Sequence, residues 1–119
     1  KKGEYYPKQF KEMGQEFIDK YFDKTSDEML KVKSDILSMI TYKVSNALTD
    51  TMPEDMDMIL CRNTVIYFSI TAKVELYKRF YKTLKNGGFL VLGATEFLQG
   101  EAQGWYEKVD VDSRIFKKT

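Results

Sequence analysis

From Phe10 to Phe22 the apolar residues recur at steps of three and four: Phe10, Met13, Phe17 with Ile18, and Tyr21 with Phe22. That period predicts an amphipathic helix lying on a sheet, and Gly14 weakens its first turn, so the secure part begins at Gln15. A turn is expected over Asp23 to Ser26. A short strand around Met29, Leu30 and Val32 follows, then a helical turn near Ser34 to Ser38. Met39 to Val44 alternates, with Thr41 and Lys43 on the outer side, and is expected to form a strand ending at Ser45-Asn46. Pro53 sits in a polar link, Thr49 to Asp55, that leads into the second half.

There the pattern changes. Met58-Ile59-Leu60 is a short continuous apolar run of the kind buried on both faces of a parallel sheet. Ser69 reads as an N-cap, and Val74, Tyr77, Tyr81 and Leu84, with Phe80 beside them, form one stripe of a helix over Thr71 to Lys85. Asn86-Gly87-Gly88 is expected to end that helix, because glycine enters a left-handed C-cap without steric cost. Phe89 to Leu92 then forms a second buried strand. Strand, helix and strand make a βαβ unit with parallel pairing. Trp105 to Val109 and Arg114 to Lys117, joined by Asp110-Val111-Asp112-Ser113, read as a hairpin that adds an antiparallel edge. The fold class is therefore α/β, with a partly parallel sheet and helices on its faces.

Within this frame "ILCRNTVIYF", residues 59–68, stands out, because Arg62 and Asn63 interrupt an apolar run. In open α/β sheets ligands bind beyond the carboxyl ends of strands. Arg62 and Asn63 lie at that end of the first clear strand, and Gly93-Ala94-Thr95-Glu96 at that end of the second, so both segments face one crevice. Asn63 either satisfies nearby backbone groups or faces a ligand. Arg62 either pairs with a carboxylate such as Glu96 or does the same, and Tyr67 and Phe68 equally suit a core.

Composition narrows the chemistry. A chain of 119 residues, 43% of them apolar and 14% aromatic, suffices for one globular unit. Its 19 Lys plus Arg balance 18 Asp plus Glu, a net charge of +1 that offers no broad footprint for nucleic acid or anionic lipid. There is no histidine, which removes imidazole-based nucleophile pairs, the usual zinc sites and most proton shuttles, and no metal is expected. One cysteine, Cys61, forms no intrachain disulfide, and no apolar run approaches the ~18 residues of a membrane span. The basic pair at the N-terminus is followed by no apolar stretch, so no signal peptide is expected, and the setting fits best as cytoplasmic.

The run "DMDMILCRNTVIYFS", then a helix, then "LKNGGFLVLGATEFL", resembles the CheR-type chemotaxis receptor methyltransferases. "FKEMGQEFIDKYF", "LKVKSDI" and "YKVSNALTD" resemble that family's upstream segments, and "DSRIFKK" its terminal strand, so the likeness covers nearly the whole chain. The resemblance implies S-adenosylmethionine as cofactor, with S-adenosylhomocysteine as product, and methyl-ester formation on glutamate side chains of the cytoplasmic part of chemoreceptors. It implies that Asn63 and Thr64 line the cofactor pocket, that Asn46 and Ala47 lie near the adenine or ribose, and that Tyr67 and Arg62 stand near the transferred methyl group. An activated sulfonium methyl and an ionised carboxylate need neither histidine nor metal, only positioning.

The chain departs from the family pattern at Ala47, Thr64, Asn86 and Ala94-Thr95, where the family often has Leu, Val, Pro and His-Ser. The family's glycine-rich loop, its ribose-binding acidic residue and its N-terminal helical domain have no equivalent in this sequence. The chain thus reads as the C-terminal portion of a Rossmann-like methyltransferase sheet, residues 1–119, with a small β subdomain-like segment at about residues 23 to 45. It is expected to be inactive alone and to self-associate through an exposed strand edge. Two other readings remain. One is a non-catalytic receptor-binding module using roughly Met29 to Val44, in which the short, glycine-free loop Asp23 to Glu28 argues against peptide tethering. The other is a methyltransferase acting on a different acceptor.

Overall fold

The computed structural model describes residues 2–26 and 28–119. Lys1, in the expected N-terminal segment, and Asp27, in the expected 23–28 loop, lie outside the described residues. The chain divides into two compact units, Lys1–Val44 and Ser45–Thr119.

The first unit holds a three-stranded antiparallel sheet of order β1-β3-β2, from β1 (Glu4–Tyr5), β2 (Phe22–Lys24) and β3 (Leu30–Val32). Helix α1 (Gln15–Tyr21) starts at the predicted residue, but Phe22 and Asp23 enter β2 rather than continuing the helix or turning. The reason is pairing: Phe22 stands opposite Val32 and Lys24 opposite Leu30. A single short turn, α2 (Ser34–Leu37), follows where a helical turn was expected. The strand expected over Met39 to Val44 does not form. Its alternation has no partner strand among the described residues, and Met39, Tyr42 and Val44 are exposed at 77%, 54% and 99%. Alternation without a ladder to satisfy the backbone does not make a strand.

The second unit holds a four-stranded sheet of order β4-β5-β7-β6 covered by helix α3 (Ile70–Thr83). Strands β4 (Met56–Cys61) and β5 (Leu84–Leu92) run parallel and flank α3 in sequence, which is the expected βαβ unit. Strands β6 (Tyr106–Asp110) and β7 (Ile115–Lys118) form the expected hairpin, and β7 joins antiparallel to β5. Ser69 caps α3 as predicted, its Oγ accepting from the Ala72 amide at 3.2 Å.

Two expectations in this unit fail. First, α3 ends at Thr83 and the chain extends at once into β5, so Asn86-Gly87-Gly88 lies within the strand and is no helix cap. Gly87 still uses a positive φ of +79°, but inside an irregular ladder where Met56 stands opposite Leu84 and Met58 opposite Phe89. Second, β4 is not buried on both faces. A bulge between Met56 and Met58 sets Met56, Ile59 and Cys61 toward the core and leaves Met58 and Leu60 exposed at 53% and 69%. Only the face under α3 is sealed, around Val65, Leu76, Tyr77, Leu84, Leu90 and Leu92.

Candidate functional site

The site grows from the carboxyl ends of β4 and β5. Past Cys61 the chain makes a loop, Arg62 to Ser69, before α3 begins, and past Leu92 it turns through Gly93 to Glu96. One side chain ties the two together. Glu96, only 5% exposed, accepts the Asn63 amide at 2.5 Å and the Gly93 amide at 2.9 Å with Oε1, and the Val65 amide at 3.4 Å with Oε2. Its own amide donates to Gly93 O at 2.9 Å, which closes the turn. A buried carboxylate is costly unless hydrogen-bonded, and here backbone donors meet that cost.

This arrangement excludes the pairing of Glu96 with Arg62 that the sequence left open. Arg62 is exposed, and among the described residues its guanidinium has no ion pair, the one such pair being Lys85–Asp57. Asn63 adopts φ +59°, a left-handed conformation that asparagine tolerates better than most residues, so its identity has a backbone reason. Its carboxamide has no hydrogen-bond partner among the described residues. Its Oδ1 lies 2.5 Å from where a Cβ on Gly93 would stand, so residue 93 must be glycine for the Asn63 side chain to occupy this place. Thr64 is exposed and its hydroxyl donates to Arg62 O at 3.2 Å. Val65 is fully buried and anchors the loop, whereas Tyr67 is 98% exposed and so is not core. Phe68 packs, half-buried, against the core.

The structure thus brings Arg62, Asn63, Thr64 and Tyr67 into one loop on one scaffold. Asn46 and Ala47 sit in a different element of the same unit, a turn in which Asn46 Oδ1 accepts the Leu48 amide at 2.9 Å and Asp50 Oδ2 accepts the Asn46 amide at 2.8 Å. That turn is fastened to α3 by Arg79, whose guanidinium donates to the carbonyls of Leu48 and Asp50. Ala47 is half-buried against the core.

Sequence reasoning placed Glu96 at the crevice as a possible partner of Arg62 rather than as a fastener of backbone amides, and it missed Arg79. For Glu96 the usable signal is a carboxylate three residues beyond the strand-ending Gly93, a spacing that lets the side chain fold back on that glycine's amide. Arg79 gives no such sign, since an arginine on the flank of a helix reads as a solvated charge.

Beneath the loop lies a buried polar group of residues. Burial pushes the Cys61 thiol up, the Glu96 carboxylate adds to that, and the Thr64 hydroxyl pulls it partly back. Burial, then Glu96 and Cys61, push Tyr77 up to about 12, and its phenol oxygen has no hydrogen-bond partner. The Cys61 thiol and the Tyr77 phenol are therefore neutral at ordinary pH.

The family model "CheR methyltransferase, SAM binding domain" matches residues 1–115. The chain is 37% identical over 89 residues to chemotaxis protein methyltransferase Cher2 of Pseudomonas putida, covering 74% of this chain and 32% of that protein. It is 38% identical over 84 residues to chemotaxis protein methyltransferase 1 of Pseudomonas aeruginosa, covering 70% and 31%. A chemotaxis protein methyltransferase of Listeria innocua is 30% identical over 94 residues, covering 79% and 36%. The chain therefore spans about a third of the length of the curated relatives it matches. A parallel strand pair whose carboxyl ends carry the clamped Asn63 loop, within a match to the S-adenosylmethionine-binding domain over nearly every residue, leads to one assignment: the chain belongs to the CheR methyltransferase family.

Proposed function

We propose that this chain supplies one wall of the S-adenosylmethionine pocket of a methyltransferase that forms methyl esters on glutamate side chains in the cytoplasmic part of chemoreceptors. One observation carries the reading. The Asn63-Thr64 pair is held at the carboxyl end of β4 by the buried Glu96 carboxylate, while both side chains stay exposed. Rigid backbone beneath exposed polar side chains is what a binding loop needs.

The donor set suits the cofactor. The Asn63 carboxamide offers donors and an acceptor, and the Thr64 hydroxyl keeps acceptor capacity, a combination matched to nucleoside edges and to an amino-acid group. Asn46 and Ala47 belong to the same proposal, with Arg79 fixing their turn. When bound, S-adenosylmethionine supplies a methyl group on a sulfonium centre, already activated for displacement. The acceptor glutamate is ionised at neutral pH, so no base is required, and the chain's task is orientation. Arg62 is the proposed partner of the acceptor carboxylate, through charge-assisted hydrogen bonds, and Tyr67 of the same loop the proposed second contact. The chain by itself is proposed to bind cofactor without turning it over.

The test is a calorimetric titration of the folded chain with S-adenosylhomocysteine, alongside Asn63→Gly. Glycine keeps the left-handed backbone and removes only the carboxamide. Saturable binding that weakens by about tenfold in the variant is expected, the scale of lost polar contacts. Binding that Asn63→Gly leaves unchanged would sink the assignment of that side chain to the cofactor.

A further inference from the structure

The turn over residues 46–50 is closed on itself. Asn46 O accepts the Thr49 amide at 3.2 Å and the Asp50 amide at 2.8 Å, Asn46 Oδ1 accepts the Leu48 amide at 2.9 Å, and Asp50 Oδ2 accepts the Asn46 amide at 2.8 Å. Four of its five amides are thus spent within the turn. The fifth, the Ala47 N–H, has no partner among the described residues.

Internal bonds fix the shape of a turn but not its direction. Among the described residues, the hydrogen bonds that tie this one to the rest of the unit come from a single side chain. Arg79 donates from one Nη to Leu48 O and from the other to Asp50 O, two carbonyls two residues apart. Its guanidinium has no ion pair among the described residues, so its charge meets backbone oxygens and no carboxylate. A planar fork with two donors sets orientation as well as distance. Arg79 stands in turn on a firm base, because Tyr77 and Phe80 of the same helix are 0% and 7% exposed. That helix also begins, at its Ser69 cap, where the Asn63 loop ends. Both segments assigned to the cofactor therefore hang from α3, one by continuity of the chain and the other by Arg79.

We propose that Arg79 is a positioning residue for the nucleoside part of the cofactor. By holding the carbonyls of Leu48 and Asp50 it sets the direction in which the Ala47 N–H and the Asn46 side chain are presented. The inference rests on the S-adenosylmethionine reading above and deepens it. Arg79 touches no part of the ligand and acts only through the turn. Hydrogen bonds weaken steeply as the donor angle falls toward ~120°, so a turn free to tilt presents a poorer donor. A backbone donor also survives the exchange of one side chain for another, which accounts for Ala47 standing where the family often has leucine.

The test titrates the folded chain and its Arg79→Met variant with S-adenosylhomocysteine and with methylthioadenosine, which keeps the nucleoside and lacks the amino-acid end. Both titrations run well below the denaturation midpoints. A loss of about tenfold, the scale of a misdirected hydrogen bond, is expected and should be equal for the two ligands. Arg79→Lys, which keeps the charge and loses the fork, should fall between the two proteins, and it carries the comparison if Arg79→Met does not fold. Lys82→Met removes an exposed cation from the same helix and should bind as the parent does. An Arg79 variant that lowers the midpoint but binds both ligands at full strength has lost only structure and overturns the proposal, as does a loss confined to S-adenosylhomocysteine. Binding that falls with Asn63→Gly and not with Arg79→Met or Arg79→Lys overturns this proposal and leaves the cofactor reading in place. No saturable binding by the parent chain overturns both.

Discussion

The two units reach order by different routes. Among the described residues of Lys1–Val44 the only large side chains to be buried are Phe10 and Leu30, and the unit relies on aromatic edges, Phe10 on Phe22 at 4.7 Å and Tyr5 on Phe10 at 6.0 Å. In Ser45–Thr119, Leu76, Tyr77, Leu84, Leu90 and Leu92 are each 2% exposed or less, and every strand but β4 and β6 is paired on both sides. The difference decides where polar side chains can be held ready for a ligand. A loop keeps its geometry only if the strands beneath it are anchored, and the loops after β4 and β5 grow from the sealed side of the second unit.

The hardest blow to that contrast is Leu90→Ala. It should cost the second unit ~2–5 kcal/mol, through lost burial and the cavity left behind. Trp105, the one tryptophan in the chain, lies in that unit and reports its unfolding by fluorescence in denaturant. Phe10→Ala serves as the counterpart and should leave the Trp105 transition in place while abolishing amide-exchange protection in β2 and β3. A shift of the Trp105 midpoint in Phe10→Ala as large as that in Leu90→Ala would erase the distinction between the units.

Glu96→Ala comes next. It strands the amides of Asn63, Val65 and Gly93, and a buried donor left unsatisfied costs ~1–3 kcal/mol. The expected outcome is destabilisation near ~2 kcal/mol together with weakened S-adenosylhomocysteine binding, with Glu96→Gln recovering part of both. A variant that loses stability but keeps full affinity would separate the clamp from the binding loop.

The smallest effect concerns Tyr77. Its buried hydroxyl has no partner, so Tyr77→Phe should raise stability at neutral pH by ~1 kcal/mol. The folded state holds the phenol up to about 12, while an unfolded tyrosine ionises near ~10. Between those values the unfolded chain binds fewer protons, so stability contributed by the neutral phenol is complete below about pH 10 and is lost as pH rises toward 12. Denaturation midpoints of the two proteins should therefore diverge further in favour of Tyr77→Phe across that interval. Parallel curves would remove Tyr77 as the cause.

Those elements that depend on short-range rules were legible in the sequence. Ser69, the apolar stripe of α3 and the two runs around it define the βαβ unit, and Asp110 to Ser113 defines the hairpin turn. What depends on partners far along the chain was not. Met39 to Val44 has the alternation of a strand and no ladder, whereas Phe22–Lys24, which lacks that pattern, becomes a strand because β3 stands beside it. Gly87-Gly88 looks like a helix stop and is absorbed into β5, since pairing with β4 outweighs the local preference. At the site, Arg62, Asn63, Thr64 and Tyr67 drew attention as polar residues inside an apolar run. Of the side chains that hold the framework, Glu96 has one local partner, the Gly93 amide three residues back, but its hold on the Asn63 loop spans 31 to 33 positions and that of Arg79 on the Asn46 turn 29 to 31, distances at which no spacing rule operates.

Because a single carboxylate closes both loops, they share one opening event. A fluctuation that swings the Glu96 carboxylate away frees the amides of Asn63, Val65 and Gly93 together, although Gly93 belongs to a different strand end. The three protons should then exchange with solvent as one set, at a rate below that of the surface turns and above that of β5. A molecule that gripped the loop after β4 would slow all three together, and residue 93 would record its arrival without touching it.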